Sequence, residues 1–376
     1  VLILGLITII YDVLGGIKAI IYSDIIQMII LTSVLIFILF YLTSIFGGFR
    51  SMFDYFPDQR NINLNFFDHG LGDGKEFAFW PMLIGGFFLY LSYYGCDQSQ
   101  MQKALCAKNQ DEGQKVFFLN GIFRFPLVLL YCLIGVGISS YSEINTDFIS
   151  SLPKQDGITN FNLAVPIFLI ENLPIGVVGL TLVALFSAAM SSLDSVLNSL
   201  SAVTMEDFVK RNRNFRYLSE KENLFISRAI TLFWGSLAII LAFYVEDISS
   251  NVLIAINKIG SLINGPIIGV FALGILTKKI NGNSACIGII CGFLFNLYCW
   301  VYLVNVSWLW WNAIGFVVTF KIALAHNFFF SKSQAKKTLF FSLKSFKKLN
   351  FNSTWKTMYI FLFIWSIFIF CLINFL

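Results

Sequence analysis

The stretch SAAMSSLDSVLNSLS, residues 187–201, sets six serines, an asparagine and a carboxylate inside an otherwise apolar run. Hydrocarbon penalises every polar group left without a partner, so these side chains must satisfy one another or bind something. Read as a helix, Ala188, Ser191 and Ser192 stand at i, i+3 and i+4 and share a face. The Ala188 carbonyl and two hydroxyls then offer three neutral oxygens. Such a set suits a weakly held hard monovalent cation better than a tightly bound divalent one. Ser195 and Asn198 extend the stripe, with Asp194 beside it. The opposing reading has each serine bonding back to the carbonyl four residues earlier and binding nothing. For a lone serine that reading prevails; for a cluster this dense, holding a carboxylate, a site is the better one.

Other polar groups also sit at or near apolar depth. Asp24 lies in YSDIIQ, and intramembrane acids mark ion or proton pathways by default. Asp97, with Gln98 and Gln100, follows Gly95 in YYGCDQSQ. Arg124 stands about two turns into its run in GIFRFP, placed to snorkel, to pair with a carboxylate or to meet a solute. Lys258 beside Asn257 has the same options, whereas Lys321 reads as snorkelling. With two histidines far apart and seven scattered cysteines lacking any CxxC pair, neither a zinc centre nor a disulfide framework is expected.

The elements that carry these residues are membrane spans. The chain of 376 residues is 57% hydrophobic and 12% charged, too little charge to cover a soluble surface. Apolar runs fall at about 1–13, 17–46, 78–103, 116–141, 174–205, 224–245, 250–277, 283–304, 306–330 and 357–376. Gly15 and Gly16 make the first turn, and NFNLAVPIFLIEN reads as a short helix on the membrane surface. Alternating the sides puts nineteen Lys and Arg residues in the loops on the Lys18 side and four opposite, which sets the Lys18 side inside. The basic residues lie between apolar runs, so the net charge of +5 gives no reason to expect a nucleic-acid partner. The organisation expected is a transporter core over 1–330, a basic cytoplasmic loop over 331–356 and a last transmembrane helix over 357–376. The sequence opens at Val1 within an apolar run, and the reading is a fragment of a longer protein. Two spans carry helix interruptions: Gly85-Gly86 and Gly95 in 78–103, and Gly260, Gly265 and Pro266 in 250–277. Broken helices line substrate and ion cavities in transporters, although glycines also let helices pack closely.

Four stretches, GGIKAIIYSDIIQ, DQSQMQKALCAKN, SAAMSSLDSVLNSLS and INKIGSLINGPIIGVFALGILTKKIN, together resemble the sodium:solute symporter family, in the family's order and over residues 1 to about 304. The resemblance implies an all-α multi-pass membrane protein with the leucine-transporter-like inverted-repeat fold. In that frame the second repeat is complete and most of the first, including its first core helix, lies outside this sequence. It also implies a sodium site at the Ala188 carbonyl and the Ser191 and Ser192 hydroxyls. A second cation site maps onto Asp24, Ser191, Asp194 and Ser195, with Asp194 standing where sialic acid relatives have serine. Tyr93 matches a gate tyrosine, Asn257 a sugar-contacting position, and Arg124 falls near a substrate-contacting lysine. An extra acid at 194 would hold a second sodium more tightly, carry a proton, or pair with a cation such as Arg124.

The activity implied is sodium-coupled symport of a small organic solute by alternating access in the plasma membrane, or the inner membrane of a bacterium. Sodium, a solute and the lipid bilayer are the expected partners, with no organic cofactor beyond the coupling ion. The rivals are a transporter-like solute sensor and a proton-coupled symporter working through Asp24 and Asp194. No HExxH, Ser/His/Asp set or metal-spaced ligands point to an enzyme.

Overall fold

The structure, a computed structural model, describes residues 2–57, 65–155, 157–212, 215, 218–243, 252–277, 280–330 and 353–375. Seven helices among the described residues are long and apolar enough to cross a membrane. The chain divides into two compact units: residues 1–62, 102–250 and 362–376, and residues 63–101 and 251–361.

In the first unit the expected runs 1–13 and 17–46 form one element, α1, Leu2–Ile45. It is interrupted at Gly16, whose φ of 58° and ψ of −162° only glycine adopts without strain. α2 is Phe49–Asp54, α5 is Gln110–Ile144 and α6 is Thr146–Ser151; α3 and α4 belong to the break described below. A two-residue hairpin pairs Lys154–Gln155 with Ile158–Thr159. The expected surface helix forms as a 3₁₀ turn at Phe161–Leu163 continued by α7, Ala164–Asn172. α8 is Ile175–Val203, prolonged by a π-helical turn at Thr204–Val209, and α9 is Glu220–Ala242, opened by a Ser219/Glu222 capping box.

One end of this unit is closed by an apolar core of Leu35, Ile38 and Leu42 from α1, Ile138 from α5, and Phe148 and Phe168 from α6 and α7. Asn172 ties the cap together. Its carbonyl accepts the Tyr41 hydroxyl at 2.5 Å and its side-chain oxygen accepts Tyr141 at 2.9 Å. At the other end α1 and α9 approach through small residues. Ile9 lies over Gly235 and Ile239 over Gly5, and a methyl group on Gly235 would meet the Ile9 side chain at 2.4 Å.

The second unit holds α3, Gly86–Gly95, entered through a π-helical turn at Pro81–Gly85. It also holds α10, Val252–Leu276; α11, Gly282–Tyr302; and α12, Trp310–Phe330. The expected interruption of run 78–103 is present. α3 ends at Gly95, and α4, Gln98–Leu105, starts again with Asp97 accepting the Ser99 backbone N–H at 2.8 Å. α4 straddles the border between the units, and α13, Ser353–Phe375, closes the chain. The basic segment expected over 331–356 lies outside the described residues as far as 352. A loop ahead of α3 is set by Asp73. Desolvation pushes its carboxyl up, but the backbone N–H groups of Lys75, Gly70 and His69 together outweigh it and hold the carboxyl down to about 2.

The interruption expected in run 250–277 is corrected: α10 is continuously helical through Pro266. Proline leaves the carbonyl four residues earlier, that of Leu262, without its helical donor. The Asn296 side chain on α11, fully buried, donates to that carbonyl at 3.1 Å and also reaches the Ser261 carbonyl at 3.3 Å. A neighbouring helix thus repairs the ladder, one of the ways membrane helices tolerate proline. The glycines serve packing: a methyl group on Gly265 would sit 2.2 Å from the Asn312 carbonyl oxygen, and one on Gly292 2.0 Å from the Thr319 hydroxyl. Replacing Asn296 by Leu is expected to cost about 1–3 kcal/mol, the penalty for a buried acceptor left unmade. Pro266→Ala, which restores the missing N–H, should recover part of that loss; melting temperatures of the two single variants and the double in detergent check the coupling.

Candidate functional site

The seam between α1 and α8 gathers the polar residues singled out above. α8 turns Ser187, Asp194, Ser195, Ser199 and Ser201 inward, and α1 buries Thr8 and Asp12. Asp24 on α1 is bound on both oxygens. The Ser191 hydroxyl donates to Oδ1, and the Lys103 ammonium lies 2.5 Å from Oδ2. Asp194, with no exposed surface, accepts the Tyr11 hydroxyl on Oδ2 at 2.7 Å. Ser195 Oγ lies 3.1 Å from Asp194 Oδ1 and 2.8 Å from the Ser191 carbonyl, so its single proton serves two acceptors. Ser192 Oγ lies 3.3 Å from the Ala188 carbonyl.

The expected sodium set is therefore only partly gathered. Ala188 and Ser192 bring two neutral oxygens together on a more open face, while Ser191 turns its hydroxyl to Asp24. Back-bonding, the opposing reading of the serines, does occur at Ser192 and Ser195. The second set, Asp24, Ser191, Asp194 and Ser195, forms one connected network, and it has a member the sequence reading left in a cytoplasmic loop: Lys103. Tyr11 and Ser195 supply the donors to Asp194, where Arg124 had been considered as its partner. Arg124 stands on α5. Among the described residues, no three His, Cys, Asp or Glu side chains converge to hold a metal ion.

Tyr93 and Asn257 lie in the second unit, on α3 and α10, which pack together. The Tyr93 hydroxyl accepts Gln100 Nε2 at 2.9 Å, and the Asn257 carbonyl accepts Ser261 Oγ at 2.9 Å. Next to Asn257, Lys258 lies 3.7 Å from Glu76 and 5.8 Å from the centroid of the Trp311 ring.

The sequence pattern of the sodium:solute symporter family matches residues 1–292. The chain belongs to that family. It is 28% identical over 294 residues to the human sodium-coupled monocarboxylate transporter 1, covering 78% of this chain and 47% of the transporter. It is 29% identical over 303 residues to the sodium/sialic acid symporter NanT of Aliivibrio fischeri, covering 77% and 56%. To the rabbit sodium-dependent multivitamin transporter it is 29% identical over 329 residues, covering 85% and 47%. The chain thus spans about half the length of these relatives. A solved Na⁺-coupled sialic acid symporter in a substrate-bound outward-open state superposes with a TM-score of 0.72 at 22% identity, over 88% of this chain and 66% of its own. That likeness shows the fold: an all-α membrane protein of the leucine-transporter-like class.

Three residues of the seam escaped the sequence reading. Tyr11 and Asp12 were folded into the tail of an apolar run, although an acid in such a run is itself a functional signal. Lys103 was counted only as an orienting charge. Its bond to Asp24 is long-range and nothing in the spacing announces it. Lys103→Met is expected to destabilise the protein by about 1–3 kcal/mol, because it strands a carboxylate in a setting where charge-assisted bonds are worth that much. Adding Asp24→Asn should return most of the loss. Additive losses in melting temperature would show that the two do not act as a pair.

Proposed function

We propose that the protein is a sodium-coupled secondary active symporter of a small organic acid, working by alternating access in the plasma membrane or a bacterial inner membrane. The observation that carries this reading is the oxygen-lined α8 face, Ala188, Ser191 and Ser192, linked through Ser191 to Asp24 within a chain of this family. Two of the relatives are named for monocarboxylates and for sialic acid, which supports an acidic solute. Sodium drawn inward gains about 2.3 kcal/mol per charge per 100 mV of membrane potential. Coupling requires that ion and solute each bind one conformation better than the other. Neutral oxygens suit this use: they hold a sodium ion firmly enough to bind from outside and weakly enough to release it inside. Tyr93 and Asn257 are proposed to face the solute.

Uptake of a panel of labelled small carboxylates, sugars and amino acids into vesicles carrying the intact transporter tests the reading, with and without a sodium gradient. A carboxylate is expected to accumulate only with the gradient; binding without accumulation would support a solute sensor instead. Ser192→Ala should raise the sodium concentration for half-maximal uptake about 5-fold, the effect of one lost ligand worth ~1 kcal/mol. An unchanged sodium dependence would remove Ser192 from the site.

A further inference from the structure

Lys258 stands in the second turn of α10, next to Asn257. The carboxylate it faces, that of Glu76, is 3.7 Å away. A closed ammonium–carboxylate pair has its N–H···O bond at about 2.8 Å, so this pair attracts without a hydrogen bond. Both side chains remain accessible, Lys258 at 31% and Glu76 at 43%. The ammonium also lies 5.8 Å from the centroid of the Trp311 ring. Trp311 is 2% exposed, and its indole N–H is buried with no acceptor among the described residues. The same is true of Trp308, which belongs to the same apolar cluster.

The backbone of Glu76 is held in place. Its carbonyl accepts the Ser307 hydroxyl at 2.6 Å, and the next residue, Phe77, packs edge-on against Trp308 with ring centroids 6.3 Å apart. The Ser307 N–H donates to the Gly70 carbonyl at 2.8 Å, and the Trp310 indole to the His69 carbonyl at 2.8 Å. The loop carrying Glu76 is thereby stapled to the turn between α11 and α12, while its carboxylate stays in a loose pair.

Donors outnumber acceptors here. An ammonium carries three N–H donors and an indole one, and the carboxylate at hand makes no hydrogen bond to either. A buried donor left unpaired is destabilising, and the complement that is missing is an anion with oxygens. We propose that Lys258 takes the carboxylate of the transported acid, which displaces Glu76, with the Trp311 ring shielding the new pair from water. Glu76 is then a tethered counter-ion: it balances Lys258 in the empty protein and yields to a carboxylate that can approach more closely. A neutral analogue cannot make this exchange, so the position discriminates acids from their amides. Asn257, one residue before, is left to the uncharged part of the same solute.

The proposal rests on the reading of an acidic solute and deepens it. The experiment is a melting-temperature titration of the intact transporter in detergent with propionate and benzoate against propionamide and benzamide, each in sodium and in choline at constant ionic strength. In the wild type both acids are expected to bind at least 10-fold more tightly than their amides. Lys258→Gln should erase that preference, weakening the acids about 10-fold and leaving the amides unchanged, and Lys258→Arg should keep it. Glu76→Gln should tighten the acids about 2–5-fold, the range an exposed ion pair commands, with the amides unchanged. A wild type without the preference overturns the proposal, as does a preference that survives Lys258→Gln. Equal weakening of acids and amides by Lys258→Gln, the mark of a merely structural role, also overturns it. Acids bound no more tightly by Glu76→Gln overturn the exchange, and that arm decides alone if Lys258→Gln gives no monodisperse elution profile. A preference that needs Lys258 but is the same in choline as in sodium removes the symporter reading and leaves the assignment of Lys258 standing.

Discussion

A carboxylate removed from water must be given a partner, and the seam between α1 and α8 is organised by that requirement. Asp194 is fully buried and Asp24 partly so, and each must replace the hydrogen bonds that water no longer supplies. Lys103 reaches in from α4, Ser191 turns off its own helix, and Tyr11 crosses from α1 to α8. Each of these contacts joins elements far apart in sequence, so the polar network also fixes how α1 lies on α8. A purely apolar seam would allow the two helices to slide. Donors matched to particular carboxylate oxygens do not.

The second unit meets the same requirement without charge. Pro266 removes a backbone donor in α10, and Asn296 supplies one from α11. Asn312 on α12 reaches the Ser261 hydroxyl at 3.0 Å. These amides can span only because glycines at 265, 288, 292 and 315 let the helix backbones come close. Small residues and buried amides therefore belong to one device: the first brings the helices into range and the second repairs the backbone at that range. Because the repair is complete for Leu262, proline need not open a cavity. The expectation of a broken α10 treated Pro266 as a local event, whereas its consequence is settled by a partner thirty residues away on the next helix.

That contrast shows what the sequence could and could not reveal. Apolar runs report span positions directly, and the break between α3 and α4 was visible because Gly95 and Asp97 act on their own neighbours. The face shared by Ala188, Ser191 and Ser192 follows from helical spacing alone. What spacing cannot report is which way a hydroxyl turns once another helix arrives. Ser191 serves Asp24 and Ser192 its own Ala188 carbonyl, though the two serines are adjacent. Lys103 and Tyr11 were illegible for the same reason, their significance resting on pairings across 79 and 183 residues. Asp12 differs: an acid in an apolar run is legible from the sequence alone.

The chemistry of the seam also bears on how coupling would work. A site of neutral oxygens gains little from electrostatics, so its affinity depends on how many oxygens a conformation brings together, and a small rocking of one helix suffices to empty it. A site built on carboxylates gains most from charge, and charge acts over longer distances than coordination does. The acids of the seam are already matched to donors across helices, Asp194 to Tyr11 and Asp24 to Ser191, so they serve to hold α1 and α8 together as one body. The neutral hydroxyl of Ser192 is the group whose affinity for an ion would change with conformation.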